Sequence, residues 1–265
     1  MASHLLEVRS LSVNFHTTQG TVHAVRNVSF HLDRGETLAI LGESGSGKSV
    51  SASAIMDLID TPPGEITSGA ILLDGRDLLR ASHAERRQLN GPRIAMIFQD
   101  PLSHLNPVYS VGWQIGEMMI AHGIPRDEAR VRAVALLRRV GIPDAETRID
   151  AYPHQFSGGQ RQRIMIAMAL ALKPDILIAD EPTTALDVTV QAQILALLED
   201  LQAETGMGML LITHDLGVVA EVADRVAVMK DGEIVETGTA AQVYAAPAHP
   251  YTRRLIAAVP GSSAM

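Results

Sequence analysis

Residues 42–49 read Gly-Glu-Ser-Gly-Ser-Gly-Lys-Ser, directly after the apolar run Thr37-Leu38-Ala39-Ile40-Leu41. A glycine-rich turn between a strand and a helix points several backbone N–H groups at one place, at the positive end of the helix dipole. Such a turn cradles a di- or triphosphate, and G-x-x-x-x-G-K-[ST] means this only between a strand and a helix. Lys48 then reaches the β- and γ-phosphates, and the Ser49 hydroxyl faces Mg²⁺. Gly42, Glu43, Ser44, Gly45, Ser46, Gly47, Lys48 and Ser49 are the expected nucleotide contacts.

The pattern around this loop predicts an α/β core. Residues 5–32 alternate like two paired strands, with Gly20 at the turn between them. Residues 49–59 read as the helix behind the loop, stopped by Pro62-Pro63-Gly64, and 70–73 followed by Asp74-Gly75 as a hairpin. Apolar runs recur at 176–179, 209–213 and 226–229, with a helix over 190–201 between the first two. Strands alternating with helices imply a parallel sheet. Asp231-Gly232 turns a last hairpin. Residues 127–140 and 160–172 carry helical spacing, so a mostly helical insert is expected near 100–172.

Composition removes several function classes. A net charge of −8 argues against a nucleic-acid binder with a broad basic surface, so no nucleic-acid partner is expected. With no cysteine, disulfides and thiolate metal sites are excluded. No export signal is visible at the N-terminus, and the most apolar stretch, 164–172, is too short to span a bilayer. Any membrane role has to come through a partner.

Two further strings carry chemistry. The run Ile176-Leu177-Ile178-Ala179 ends in Asp180-Glu181, which suits Asp180 to hold Mg²⁺ and Glu181 to orient or deprotonate the attacking water. Ahead of it stands Phe156-Ser157-Gly158-Gly159-Gln160-Arg161-Gln162-Arg163, a second glycine nest at a helix start. One terminal phosphate does not need two nests from one chain. The physical reason to own both is to offer the second to a neighbouring subunit.

In these motifs the sequence resembles the ATP-binding cassette (ABC) ATPases, whose signature loop is Leu-Ser-Gly-Gly-Gln; only Phe156 departs. The resemblance spans 5–240. It implies a RecA-like P-loop NTPase core with an antiparallel β subdomain and an inserted α-helical subdomain. Residues 1–99 with 173–240 would form the core, 100–172 the helical subdomain and 241–265 a C-terminal tail. It also implies roles for further residues. Phe15 falls where an aromatic stacks on adenine, although a core aromatic explains it as well. Gln99 matches the Q-loop that reaches Mg²⁺ and the water, Ala185-Leu186-Asp187 the D-loop that touches the opposite subunit, and His214 the switch histidine. Glu181, His214 and Gln99 would be catalytic, and Ser49, Gln99 and Asp180 would hold the metal. Two ATPs would then sit between two subunits, each held by Lys48 and Ser49 of one and Ser157, Gly158, Gly159 and Gln160 of the other.

Residues 100–107, Asp-Pro-Leu-Ser-His-Leu-Asn-Pro, and 247–252, Pro-Ala-His-Pro-Tyr-Thr, look like the peptide/nickel importer ATPases. That resemblance implies uptake of peptides, nickel or metal-chelates through two separate permease subunits docked on 100–172, with an extracytoplasmic binding protein acting indirectly. The subunit would be peripheral, on the cytoplasmic face of the inner (cell) membrane. A sister ATPase would complete a heterodimer, with a homodimer left open. The alternative is a non-transport ABC ATPase associated with nucleic acid or translation. The sequence departs from larger members in stopping soon after the His-Pro-Tyr string, so no C-terminal accessory domain is expected.

Overall fold

The computed structural model describes residues 4–184 and 186–258. Along the chain come β1 (Leu6–Thr17), β2 (Gly20–Leu32), β3 (Thr37–Leu41), α1 (Lys48–Met56), β4 (Gly64–Leu73), β5 (Arg76–Asp77) and α2 (His83–Leu89). There follow β6 (Ile94–Ile97), α3 (Pro101–His104), α4 (Val111–Ala121), α5 (Arg126–Arg139), α6 (Ala145–Arg148) and α7 (Gly158–Ala169). The remaining elements are β7 (Ile176–Asp180), α8 (Val188–Thr205), β8 (Gly208–Thr213), α9 (Leu216–Val222), β9 (Arg225–Lys230), β10 (Glu233–Thr239), α10 (Ala240–Ala245) and α11 (Pro250–Ala257). They fall into two compact units, Met1–Arg87 with Gly206–Met265, and Gln88–Thr205.

In the first unit β1 pairs antiparallel with β2 on one side and β4 on the other, and β5 extends β4 as a hairpin. A second sheet has β3 at its centre, parallel to both β8 and β9, with β10 antiparallel on β9. All five residues of β3 are buried. A strand hydrogen-bonded on both sides and covered on both faces has to be apolar throughout, which is why 37–41 reads as a run and not as an alternation. Helix α1 begins one loop later and stops at Met56, because Asp57 takes a left-handed conformation (φ 60°) and returns its N–H to Ala54 and Ser53 carbonyls. The helix is therefore shorter than the expected 49–59. Strand β4 is longer than the expected 70–73, since its first half is largely exposed and lacks an apolar signal.

In the second unit β6 and β7 run parallel, Ile94 opposite Ile176 and Ile97 opposite Ala179. Helices α4, α5 and α7 bury Ile115, Met119, Ala129, Ala133, Leu137, Ile164 and Ile166. Helix α4 starts at Ser110, whose hydroxyl accepts the Trp113 N–H. Acidic Asp127 and Glu128 open α5 and basic Arg138 and Arg139 close it, both favourable to the helix dipole. No helix among the described residues is long and apolar enough to cross a membrane.

Candidate nucleotide site

The phosphate loop sits in the first unit. Its helix starts at Gly47 (φ 102°) with no side-chain cap, and a helix N-terminus of this kind favours an anion. Lys48 is only 5% exposed, and its Nζ donates to the Gly42 carbonyl at 2.7 Å and the Glu43 carbonyl at 2.8 Å. The glycines are dictated by the surroundings. A Cβ on Gly42 would lie 2.2 Å from the Met229 carbonyl oxygen, and one on Gly47 2.3 Å from that of Ala24. Gly45, at the turn (φ 80°), has open space beside it. Ser46 Oγ is buried without a hydrogen-bond partner among the described residues. An unpaired buried hydroxyl is costly, and together with the uncapped helix and the cationic lysine it fits a polyanionic ligand.

His214, the exposed residue after β8, is followed by a rigid turn. The Asp215 carboxylate accepts the N–H of Gly217 at 2.7 Å and of Val218 at 3.3 Å, and its own N–H goes to Thr213 Oγ1. Phe15 is half-buried on β1, between Val22 of β2 and Gly64 of β4.

The second unit carries the carboxylate pair. Asp180 ends β7 and is 6% exposed. Glu181 follows with φ 47°, a backbone state that a non-glycine residue takes at a cost of about 1 kcal/mol or more. Its Oε2 accepts from Gln99 Nε2 at 2.8 Å and from Thr184 Oγ1 at 2.8 Å. The structure thus brings Gln99 and Glu181 together. Thr184 enters this group unannounced by the sequence; a hydroxyl three residues past the acid, in the turn, is the signal that could have found it.

The second nest opens α7. The Ser157 hydroxyl accepts the Gln160 N–H and the Gln160 side chain accepts the Ser157 N–H, a capping box that fixes the turn. That box leaves the Gly158 and Gly159 N–H groups out, and Ser157 and Gly158 are exposed. Gly159 has no room for a side chain, since a Cβ would lie 2.7 Å from Val190 Cγ1. Phe156 is buried to 3% exposure beneath the Arg148 guanidinium, 4.1 Å from its ring centre, so this position needs bulk and apolarity. Asp187 caps α8 by accepting the Val190 N–H at 2.9 Å. Ala185, the first residue of the D-loop match, lies outside the described residues.

Phosphoryl transfer asks a protein for positioned charge and a positioned water more than for covalent chemistry. In the first unit a buried lysine stands at a helix start without a side-chain cap, in the second unit Gln99 and Thr184 brace the Glu181 carboxylate, and the loop sequence is that of the P-loop ATPases. The sequence profile of the ABC transporter family matches residues 25–184. The chain belongs to that family, as an ATP-binding subunit that hydrolyses ATP.

Among relatives, the chain is 57% identical over 259 residues to the oligopeptide transport ATP-binding protein OppD of Bacillus subtilis (strain 168), covering 97% of this chain and 72% of that protein. It is 54% identical to the glutathione import ATP-binding protein GsiA of Escherichia coli (strain K12), along its whole length but over only 43% of GsiA. Among solved structures, the ATP-binding cassette MJ0796, in a dimeric post-hydrolysis state with ADP and Pi, superposes with a TM-score of 0.79 at 28% identity, covering 89% of this chain and 98% of that one. CbiO1 of Clostridium perfringens, part of the ABC transporter complex cbiONQ, gives 0.78 at 32% identity, covering 97% and 96%.

Proposed function

We propose that this subunit drives uptake of short peptides through separate membrane permeases. The observation that carries the reading is the 57% identity to an oligopeptide transport subunit over 97% of the chain. The 54% match to a glutathione import protein, itself named for a tripeptide cargo, points the same way.

In this reading ATP lies on the phosphate loop with Lys48 against its terminal phosphates. Glu181, held by Gln99 and Thr184, accepts the proton of the attacking water, while the carboxamide and hydroxyl keep the carboxylate from swinging away. His214 contacts the terminal phosphate and Phe15 the adenine. Ser49, Gln99 and Asp180 offer the hard oxygen donors that suit Mg²⁺, which supplies charge neutralisation on the phosphates. Ser157, Gly158, Gly159 and Gln160 serve the nucleotide of a second ATPase, a sister chain or another copy, and Asp187 faces that neighbour.

The permeases dock on 100–172. This segment carries exposed Leu102 (66%), Val108 (69%) and Trp113 (42%), the last stacked on Tyr109 at 4.0 Å. Exposed apolar side chains and a stacked aromatic pair within this segment support a protein interface there. The subunit is then peripheral on the cytoplasmic side of the membrane. The test is co-reconstitution with the permeases and binding protein in lipid. ATP-driven peptide uptake, with an ATPase rate raised by loaded binding protein, is expected. A brisk ATPase rate indifferent to permeases and peptide contradicts the reading.

A further inference from the structure

The Pro-Ala-His-Pro-Tyr string at 247–251 is not used by the ATPase chemistry, yet it is held in place with care. Glu236 of β10 accepts the backbone N–H groups of Ala248 at 2.7 Å and His249 at 2.9 Å. Arg253 returns from α11 to the Pro247 and Ala248 carbonyls. His249 caps α11 by accepting the Tyr251 N–H on Nδ1, and Pro250 supplies its first turn. These bonds fix one side chain, Tyr251, which is 4% exposed.

The Tyr251 hydroxyl accepts the Glu43 N–H of the phosphate loop at 3.3 Å. That N–H belongs to the same peptide group as the Gly42 carbonyl, on which Lys48 Nζ rests at 2.7 Å. The Gly42–Glu43 peptide is therefore bracketed, with an ammonium on its oxygen and a phenol oxygen on its N–H. A cation on the carbonyl polarises the peptide and strengthens the N–H as a donor, so the two contacts reinforce one another. Burial pushes the Tyr251 phenol above its ordinary value, which keeps it neutral at cellular pH. A companion contact lies on α10, where the Tyr244 hydroxyl donates to the Leu216 carbonyl, two residues past His214.

We propose that Tyr251 is a positioning residue for ATP: its hydroxyl fixes the Gly42–Glu43 peptide, and through it the station from which Lys48 meets the phosphates. The His-Pro-Tyr segment acts here as a brace on the phosphate loop within its own chain. It works through Lys48 and touches no nucleotide itself.

Tyr251→Phe keeps the ring and removes only the hydroxyl. With the full chain and a fluorescent ATP analogue, the expected result is a Kd raised about 3- to 10-fold, the size of one net hydrogen bond. The KM for ATP rises with it, kcat at saturating ATP stays, and the Tm without nucleotide stays within about 2 °C. Hydrogen exchange of the Glu43 amide quickens. Glu236→Gln, which weakens the anchor and leaves Tyr251 intact, moves the Kd in the same direction by less. An unchanged Kd with unchanged Glu43 exchange overturns the proposal. So does a loss of affinity in Tyr251→Phe that comes with a Tm fallen by more than about 5 °C, because the hydroxyl would then be a contact of the fold alone.

Discussion

Two glycine-rich turns lead into helices in this chain, and they are built in opposite ways. The loop at 42–49 is closed in from behind: backbone carbonyls of Met229 and Ala24 stand where Cβ atoms of Gly42 and Gly47 would be, and Tyr251 and Lys48 grip one of its peptides. Its helix has no side-chain cap. The turn at 157–160 is exposed and ties itself together through Ser157 and Gln160. In the reading proposed above, the uncapped, braced nest holds an anion of its own, and the exposed nest that satisfies its own ends meets an anion brought by a neighbour. The same local chemistry would then serve two roles, set by what surrounds it.

The comparison can be broken in graded steps. The largest effect is expected at neither nest but at the Glu181 carboxylate. Glu181→Gln is expected to lower the hydrolysis rate roughly 100- to 10,000-fold while ATP still binds, which single-turnover kinetics beside equilibrium binding will read. Turnover close to wild type removes Glu181 from its role. Next come the glycines. Gly47→Ala meets a backbone carbonyl and a φ of 102° together, and should cost about 2–4 kcal/mol in loop stability with loss of ATP binding. Gly159→Ala meets only a valine methyl and should cost about 1 kcal/mol in thermal unfolding. Equal costs would mean the two nests are equally confined. Smallest is Asp187→Ala, which removes the cap of α8 and should lower stability by about 0.5 kcal/mol. If stability is unchanged, the carboxylate matters only to a neighbouring subunit.

The sequence showed the phosphate loop, the Asp180-Glu181 pair and the buried strand at 37–41 because each is a local pattern with one physical explanation. It did not show where α1 ends, since Asp57 stops the helix by its backbone and no proline or glycine stands there. Helix α4, whose apolar face is spread over Val111, Ile115 and Met119, was hidden in a region read only as mostly helical. Thr184 beside Glu181 and Tyr251 against Glu43 are contacts of side chain to site across a turn or across more than 200 residues. No periodicity reports them. Asp187 was legible as a motif residue, but its work as a helix cap needed coordinates.

The most direct test of the two-nest account is the ATP affinity of the isolated chain carrying Lys48→Ala or Ser157→Arg. The account predicts that Lys48→Ala weakens ATP by on the order of 100-fold or more, as a buried cation is taken from the phosphates. It predicts that Ser157→Arg binds ATP as the wild type does and fails only in the assembled transporter. Comparable losses in both would place the two nests on one nucleotide within one chain and contradict it.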